Sequence, residues 1–232
     1  MSFASSGKIA LIIGASRGLG LALTDEYLKR GWRVVATARS GARTGLHELA
    51  EQAGEWIEIE NVDIVESSQV VALRDRLQNR SFDLLFVDAG VTNAQTIGEV
   101  STEEFVRVMV TNALSPMRVV EALQDLVPTT GTIGVMSSGI GSVADNDSGG
   151  WEVYRASKAA LNTLMRSFAA RHAQDPRTLL LIAPGSVRTD MGGSEATLSI
   201  EESIPGVVDT INAQSGKAGL HYLDYRGQTV RW

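Results

Sequence analysis

The sequence predicts an α/β fold: one doubly wound domain, with a central parallel sheet of about seven strands and helices on both faces. Three observations predict it. Short apolar, β-branched runs alternate with stretches of helical period along the whole chain. One of those runs, Phe82 to Val87, is almost continuously apolar, as expected of a strand buried on both faces. A glycine-rich turn, Gly14-Ala15-Ser16-Arg17-Gly18-Leu19-Gly20, joins the first run to the first helical stretch. Strands separated by single helices imply right-handed crossovers, and hence parallel pairing.

The elements follow in order. Lys8 to Ile13 is a β-branched run that Gly14 ends. From Leu19 to Arg30 the pattern turns helical, with Leu19, Leu23 and Tyr27 on one face and Gly31 as the stop. Arg33 to Ala38 is a second strand, Leu46 to Ala53 a helix, and Trp56 to Glu60 a third strand. Gln69 to Gln78 is helical, with Val70, Leu73 and Leu77 spaced for one face. After the strand at Phe82 to Val87, a long helix over Glu103 to Leu126 is interrupted near Pro116. Thr132 to Met136 is the next strand, Glu152 to Ala173 the longest clean helix, and Thr178 to Ala183 the strand after it. Ser199 to Ile211 reads as a shorter helix and His221 to Tyr225 as the last strand. Gly139 to Gly150 and Gly192 to Leu198 read as loops.

Composition narrows the function. The chain of 232 residues suits one domain, 1–232, with no internal repeat and no convincing linker. A net charge of −6 disfavours nucleic acid, which requires a basic face, though it leaves room for a basic pocket around one phosphorylated ligand. With no cysteine there is no disulfide framework, thiol nucleophile or Cys-ligated zinc, and no metal site is read. Met1 to Lys8 lacks the pattern of a signal peptide, and no apolar run approaches the ~18 residues of a membrane span, so the expected location is the cytoplasm, away from membranes.

The glycine turn carries chemistry because of where it lies. A helix N-terminus offers unpaired N–H groups and a positive dipole end, and so attracts phosphate. Glycines let the backbone approach a pyrophosphate without a Cβ in the way. The spacing is GxxxGxG, not the commoner GxGxxG, and by itself it fits a ligand-free tight turn as well. NAD sites usually carry an acid after the second strand, to accept from the ribose 2′-OH. Here the strand ends Ala36-Thr37-Ala38-Arg39-Ser40, and a guanidinium suits a 2′-phosphate. With Arg17 inside the turn, the two arginines together favour NADP(H) over NAD(H).

Tyr154 and Lys158 stand four residues apart at the start of the longest helix, hence on one face. A free phenol has a pKa of about 10, and a fixed cation beside it lowers that value toward use in proton transfer. The strand Thr132 to Met136 ends in Ser137-Ser138 on the same edge, where Ser138 is placed to hydrogen-bond a substrate oxygen. His47, His172 and His221 sit away from that edge and are read as structural or solvated.

These residues together resemble the short-chain dehydrogenase/reductase superfamily along essentially the whole chain. The turn Gly14 to Gly20, with Ser16 and Leu19 inside it, is similar to the family's cofactor motif, although Ile13 stands where Thr is usual. Asp63 stands where an acid caps the adenine pocket. Val87-Asp88-Ala89-Gly90 looks like the family's Asn-Asn-Ala-Gly strand end, with Asp88 replacing an Asn; Ala89 and Gly90 keep the pattern. Asn112, Ser138, Tyr154 and Lys158 match the catalytic tetrad, and Pro184, Gly185, Val187 and Thr189 fall in the segment that contacts the nicotinamide. Gly149-Gly150-Trp151, Arg188-Thr189-Asp190-Met191-Gly192-Gly193 and Leu223-Asp224-Tyr225, with Trp232 last, resemble the branch of C-factor-like proteins and the insect carbonyl reductase sniffer.

The resemblance implies a Rossmann fold whose cofactor half spans residues 1–130 and whose catalytic half spans 131–232. It implies reversible reduction of an aldehyde or ketone to an alcohol. Ser138 would hold the carbonyl oxygen, and Tyr154 would donate the proton. Lys158 would lower the Tyr154 pKa and bind the nicotinamide ribose, while Asn112 would support a water relaying protons to Lys158. It further implies a small substrate lid, a small-molecule carbonyl or alcohol partner, and a homodimer or homotetramer. The alternative is a dinucleotide-binding, C-factor-like signalling protein that acts mainly through partners.

Overall fold

The computed structural model describes residues 7–232, so most of the segment read for a targeting signal, Met1 to Lys8, lies outside the described residues. One sheet contains β1 (Ile9–Ile13), β2 (Arg33–Ala38), β3 (Ile57–Asn61), β4 (Leu84–Val87), β5 (Thr132–Met136), β6 (Thr178–Ala183) and β7 (Gly219–Asp224). Every neighbouring pair is parallel, in the order β3-β2-β1-β4-β5-β6-β7. The chain winds outward from β1 to β3, then returns to start β4 on the other side of β1. That reversal opens a crevice between the carboxyl ends of β1 and β4, where open α/β sheets bind ligands. Ile13 pairs with Val87, so Gly14 and Asp88 leave the sheet side by side.

The helices α1 (Gly18–Lys29), α2 (Gly45–Ala53), α3 (Ser67–Leu77), α4 (Thr102–Met109), α5 (Ser115–Leu123), α6 (Glu152–Arg171) and α7 (Ile200–Gln214) cover both faces. The two-residue period of a strand sends alternate side chains to opposite layers. Leu11 and Ile13 pack with Leu73, Leu123, Leu161 and Met165 of α3, α5 and α6. Ala10 and Ile12 pack with Leu23 and Tyr27 of α1, Leu46 of α2, and Val207 and Ile211 of α7. Burying one such aliphatic side chain contributes roughly 1.5–3 kcal/mol, so both layers hold the sheet that carries the crevice.

The seven strands and the doubly wound order are those the sequence predicts, with shifts at element ends. The long helix expected over Glu103 to Leu126 differs in an informative way. It runs as α4, a π turn at Val110–Leu114, α5 and a final 3₁₀ turn, Gln124–Leu126. Pro116 has no N–H to offer the Asn112 carbonyl four residues earlier, and the helix widens just ahead of it. Such turns recur at functional positions. No helix among the described residues is long and apolar enough to cross a membrane.

Candidate active site

A cleft of about 1770 Å³ runs along the carboxyl edge of the sheet. The turn before α1, Arg39 and Asp63 line one end, and Ser138, Tyr154 and the segment after β6 line the other. Of the residues that the sequence assigns to the cofactor, all but Gly20 line it. Gly20 lies beneath: a Cβ there would stand 2.3 Å from the Gly14 carbonyl oxygen and 2.8 Å from Asp88 Oδ2. Gly18 has φ +59°, with open space where its side chain would be. Arg17 caps α1 with its backbone alone, and no acid occupies the first turn. This helix end therefore presents N–H groups toward the cleft with no acid in its own first turn and with Asp88 beneath it at Gly20, which fits a dinucleotide pyrophosphate at the outer N–H groups.

At the rim, Arg39 is exposed and makes no ion pair among the described residues. Arg17 pairs with Asp190 at 3.2 Å, joining the glycine turn to the loop after β6. Asp63 folds into its own turn, with Oδ1 accepting from the Val65 N–H at 3.0 Å.

At the other end, Tyr154 lies in the first turn of α6 and Lys158 one turn later. The Ser138 hydroxyl, just beyond β5, lies near the Tyr154 phenol and favours its ionised form. Lys158 Nζ donates to the Met136 carbonyl at 2.9 Å and lies 5.8 Å from the centre of the Tyr154 ring. A methyl group on Gly90 would stand 3.7 Å from that Nζ and 3.3 Å from Asn112 Oδ1, so both groups converge on the end of β4. Asn112, fully buried in the π turn, accepts from the Val91 N–H at 2.8 Å and donates to the Val91 carbonyl at 2.8 Å and Ser157 Oγ at 2.9 Å. The structure thus brings Ser138, Tyr154 and Lys158 together in the cleft and sets Asn112 behind them.

The electrostatics differ from the expectation that Lys158 lowers the Tyr154 phenol. Burial pushes the phenol up to about 12; the Ser138 hydroxyl opposes this, and the nearby Asp88 charge adds to it. Burial pushes the Lys158 ammonium down to about 8, with Asp88 pulling it back up. Burial also pushes the Asp88 carboxyl up to about 7, against the pull of Lys158 and of the Gly20 N–H that it accepts. Lys158 is spent on Met136 and Asp88, so Ser138 supplies the downward pull on Tyr154.

Several contributors escape the sequence reading. Asp88 caps the first turn of α1 from a neighbouring strand. The Tyr222 hydroxyl donates to the Ser138 carbonyl at 2.5 Å, across 84 residues that carry no local signal. Ser137 Oγ donates to Asn162 Oδ1 at 2.6 Å, which separates it in role from Ser138 beside it. Trp151, left unassigned above, has φ 53° and meets the Tyr154 ring edge-on; an aromatic residue after two glycines was its signal. His47 closes the capping box of α2, and His172 stacks on Phe168, as structural histidines do.

The short chain dehydrogenase family model matches residues 8–198. A short-chain dehydrogenase/reductase from Burkholderia multivorans, solved with bound NADP, is 62% identical, with 97% of this chain and 99% of that one covered and a TM-score of 0.96. A carbonyl reductase from Pseudomonas aeruginosa PAO1, solved in complex with NADP, is 39% identical over 97% of this chain and 99% of that one, with a TM-score of 0.89. The C-signal of Myxococcus xanthus is 34% identical over 153 residues, which are 65% of this chain and 92% of C-signal.

Proposed function

This chain belongs to the short-chain dehydrogenase family of oxidoreductases, and we propose that within it the protein is an NADP(H)-dependent carbonyl reductase. One observation carries the reading. A serine hydroxyl and a phenol come together at the cleft wall, with an ammonium on the same helix face as the phenol, in the same cleft as an anion-receptive helix end. NADP-bound relatives, one of them a carbonyl reductase, support the cofactor and the substrate class.

When bound, the nicotinamide cofactor supplies the hydride that the carbonyl carbon accepts. The chain positions and protonates. Gly14, Ser16, Gly18 and Leu19 would cradle the pyrophosphate, and Arg39, with Arg17, would meet the 2′-phosphate. Asp63, Ala89 and Gly90 would line the adenosine side, and Pro184, Gly185, Val187 and Thr189 the nicotinamide side. A carbonyl oxygen between Ser138 and Tyr154 would accept from both hydroxyls. Ser138 would hold that oxygen and Tyr154 would give it a proton, so hydride and proton together complete the alcohol. Lys158 would restore the Tyr154 proton. The Asn112 side chain is committed to Val91 and Ser157. The group that would hold a relay water is its carbonyl, to which Pro116 offers no N–H from four residues on.

A panel of aldehydes and ketones, assayed by NADPH oxidation with NADH in parallel, tests the reading. Tyr154→Phe should keep the fold and the NADPH affinity and lose about 10²–10⁴-fold in turnover, the usual contribution of a general acid. Full activity in Tyr154→Phe on a substrate that the unmutated enzyme reduces would place the chemistry elsewhere.

A further inference from the structure

Trp151 combines features that core packing does not explain. Its φ of 53° makes it the one non-glycine residue in the left-handed region among the described residues. A bulky side chain avoids that region unless the surroundings impose it. Gly149 and Gly150 precede it at φ 61° and 65°, so three consecutive residues turn the chain the unusual way just before α6. The turn is held from both sides. Arg155 donates from Nε to the Gly150 carbonyl at 2.9 Å, from Nη2 to Ser148 Oγ at 2.9 Å and from Nη1 to the Ile140 carbonyl at 3.3 Å. On the far side, Glu152 Oε2 accepts from the Ile97 N–H at 2.6 Å.

Trp151 on this braced backbone stays 40% exposed, so the strain does not take it into the core. The indole stands over the cleft, with its ring centre 6.4 Å from that of Tyr154 and the planes 73° apart. Glycine would suit the backbone better, and an exposed tryptophan adds little to the core. What the residue does provide is a large, flat, apolar wall beside the phenol.

We propose that Trp151 is a specificity-determining residue whose indole packs against the substrate and selects carbonyl compounds bearing a flat aryl group next to the reacting carbon. The selection rests on the carbonyl-reductase reading above. Ring-on-ring contact prefers offset or edge-on partners and rewards a flat group over a puckered one of similar size. Arg155, one residue past Tyr154, is a positioning residue: its three hydrogen bonds keep the turn that aims the indole.

The test uses matched pairs: benzaldehyde against cyclohexanecarbaldehyde, and 2-naphthaldehyde against its saturated decalin analogue. The readout is the ratio of kcat/KM for the aryl member to that for the saturated member. In Trp151→Gly this ratio should fall by about 3- to 10-fold, the scale of an aromatic pair contact, mostly through KM for the aryl aldehyde. Trp151→Phe should restore much of the ratio. The Trp151→Gly protein should unfold at the same temperature or higher, because the backbone strain is relieved. An unchanged ratio in an enzyme that reduces both members, or a thermal midpoint several degrees lower that marks Trp151 as a packing residue, would overturn the assignment. Absence of NADPH-dependent turnover of any carbonyl by the unmutated protein would overturn the function beneath it as well.

Discussion

Replacing Asp88 with Asn should flatten the dependence of stability on pH. Asp88 stands at the floor of the cleft, where burial carries its carboxyl from 3.8 up to about 7 against the pull of Lys158 and the Gly20 N–H. In the unfolded chain the same group ionises near its ordinary value. Between about pH 4 and 7 the folded protein therefore holds more protons than the unfolded one, and stability falls as pH rises. At 1.36 kcal/mol per pH unit, the fall from pH 5 to about 7 is at most roughly 3 kcal/mol. Asp88 is half-buried and reached by water through the cleft, so a loss of about 1–2 kcal/mol is the expected size. Lys158 has the opposite sign. Its ammonium is pushed down to about 8, so between about pH 8 and its ordinary value near 10.4 the unfolded chain holds more protons and stability rises with pH. In Asp88→Asn the falling limb disappears. The rising limb starts lower, because Lys158 loses the charge that held it up. Urea unfolding at pH 5 and pH 8, at matched ionic strength, measures both proteins. A fall between the two pH values that is equal in the unmutated protein and in Asp88→Asn would refute the argument and place the pH-sensitive group elsewhere.

Two further outcomes concern the cofactor rim. Arg39→Asp should weaken NADPH binding by about 10- to 100-fold, the value of a charge-assisted hydrogen bond to phosphate, and improve NADH; titration with both cofactors checks it, and equal weakening of the two would sink it. Asp190→Asn should free Arg17 from a pair exposed on both sides and tighten NADPH by up to about fivefold, since such pairs hold only ~0–1 kcal/mol; calorimetric titration showing weaker NADPH binding would mean that Asp190 itself helps to build the site.

The fold was legible because its signals are local and periodic. Leu11 and Ile13 alternate with Ala10 and Ile12 between two cores, and that alternation can be read from neighbours in sequence. The glycine turn was legible because three glycines stand where a strand must hand over to a helix. The Tyr154–Lys158 pair follows from helical spacing. What escaped depends on distant partners. Asp88 was visible as a departure, but its bond to Gly20 follows only from the register of β1 against β4. Tyr222 reaches Ser138 because β7 lies two places from β5 in the sheet. Pro116 announced an interruption, yet not that the helix would widen ahead of it into a π turn holding Asn112. The expected effect of Lys158 on Tyr154 is outweighed for a related reason. Spacing gives proximity, while the balance of charge is set by Met136 and Asp88, which come from other strands.

Under the proposed mechanism, that balance favours reduction. A group that must donate a proton to a new alkoxide has to be protonated when the substrate arrives. A phenol held at about 12 is protonated throughout the neutral range. Accepting a proton from an alcohol would require phenolate, and burial together with the Asp88 charge opposes phenolate. The two groups that titrate near neutrality, Asp88 at about 7 and Lys158 at about 8, influence each other through the same small volume. Losing the proton on Asp88 holds the proton on Lys158 more tightly, and in the proposed mechanism that is the proton that refills Tyr154. Asparagine in place of Asp88 would keep the hydrogen bonding and remove the coupling. In that mechanism the acid at the end of β4 makes the proton supply behind Tyr154 depend on pH near neutrality, while the phenol itself stays protonated.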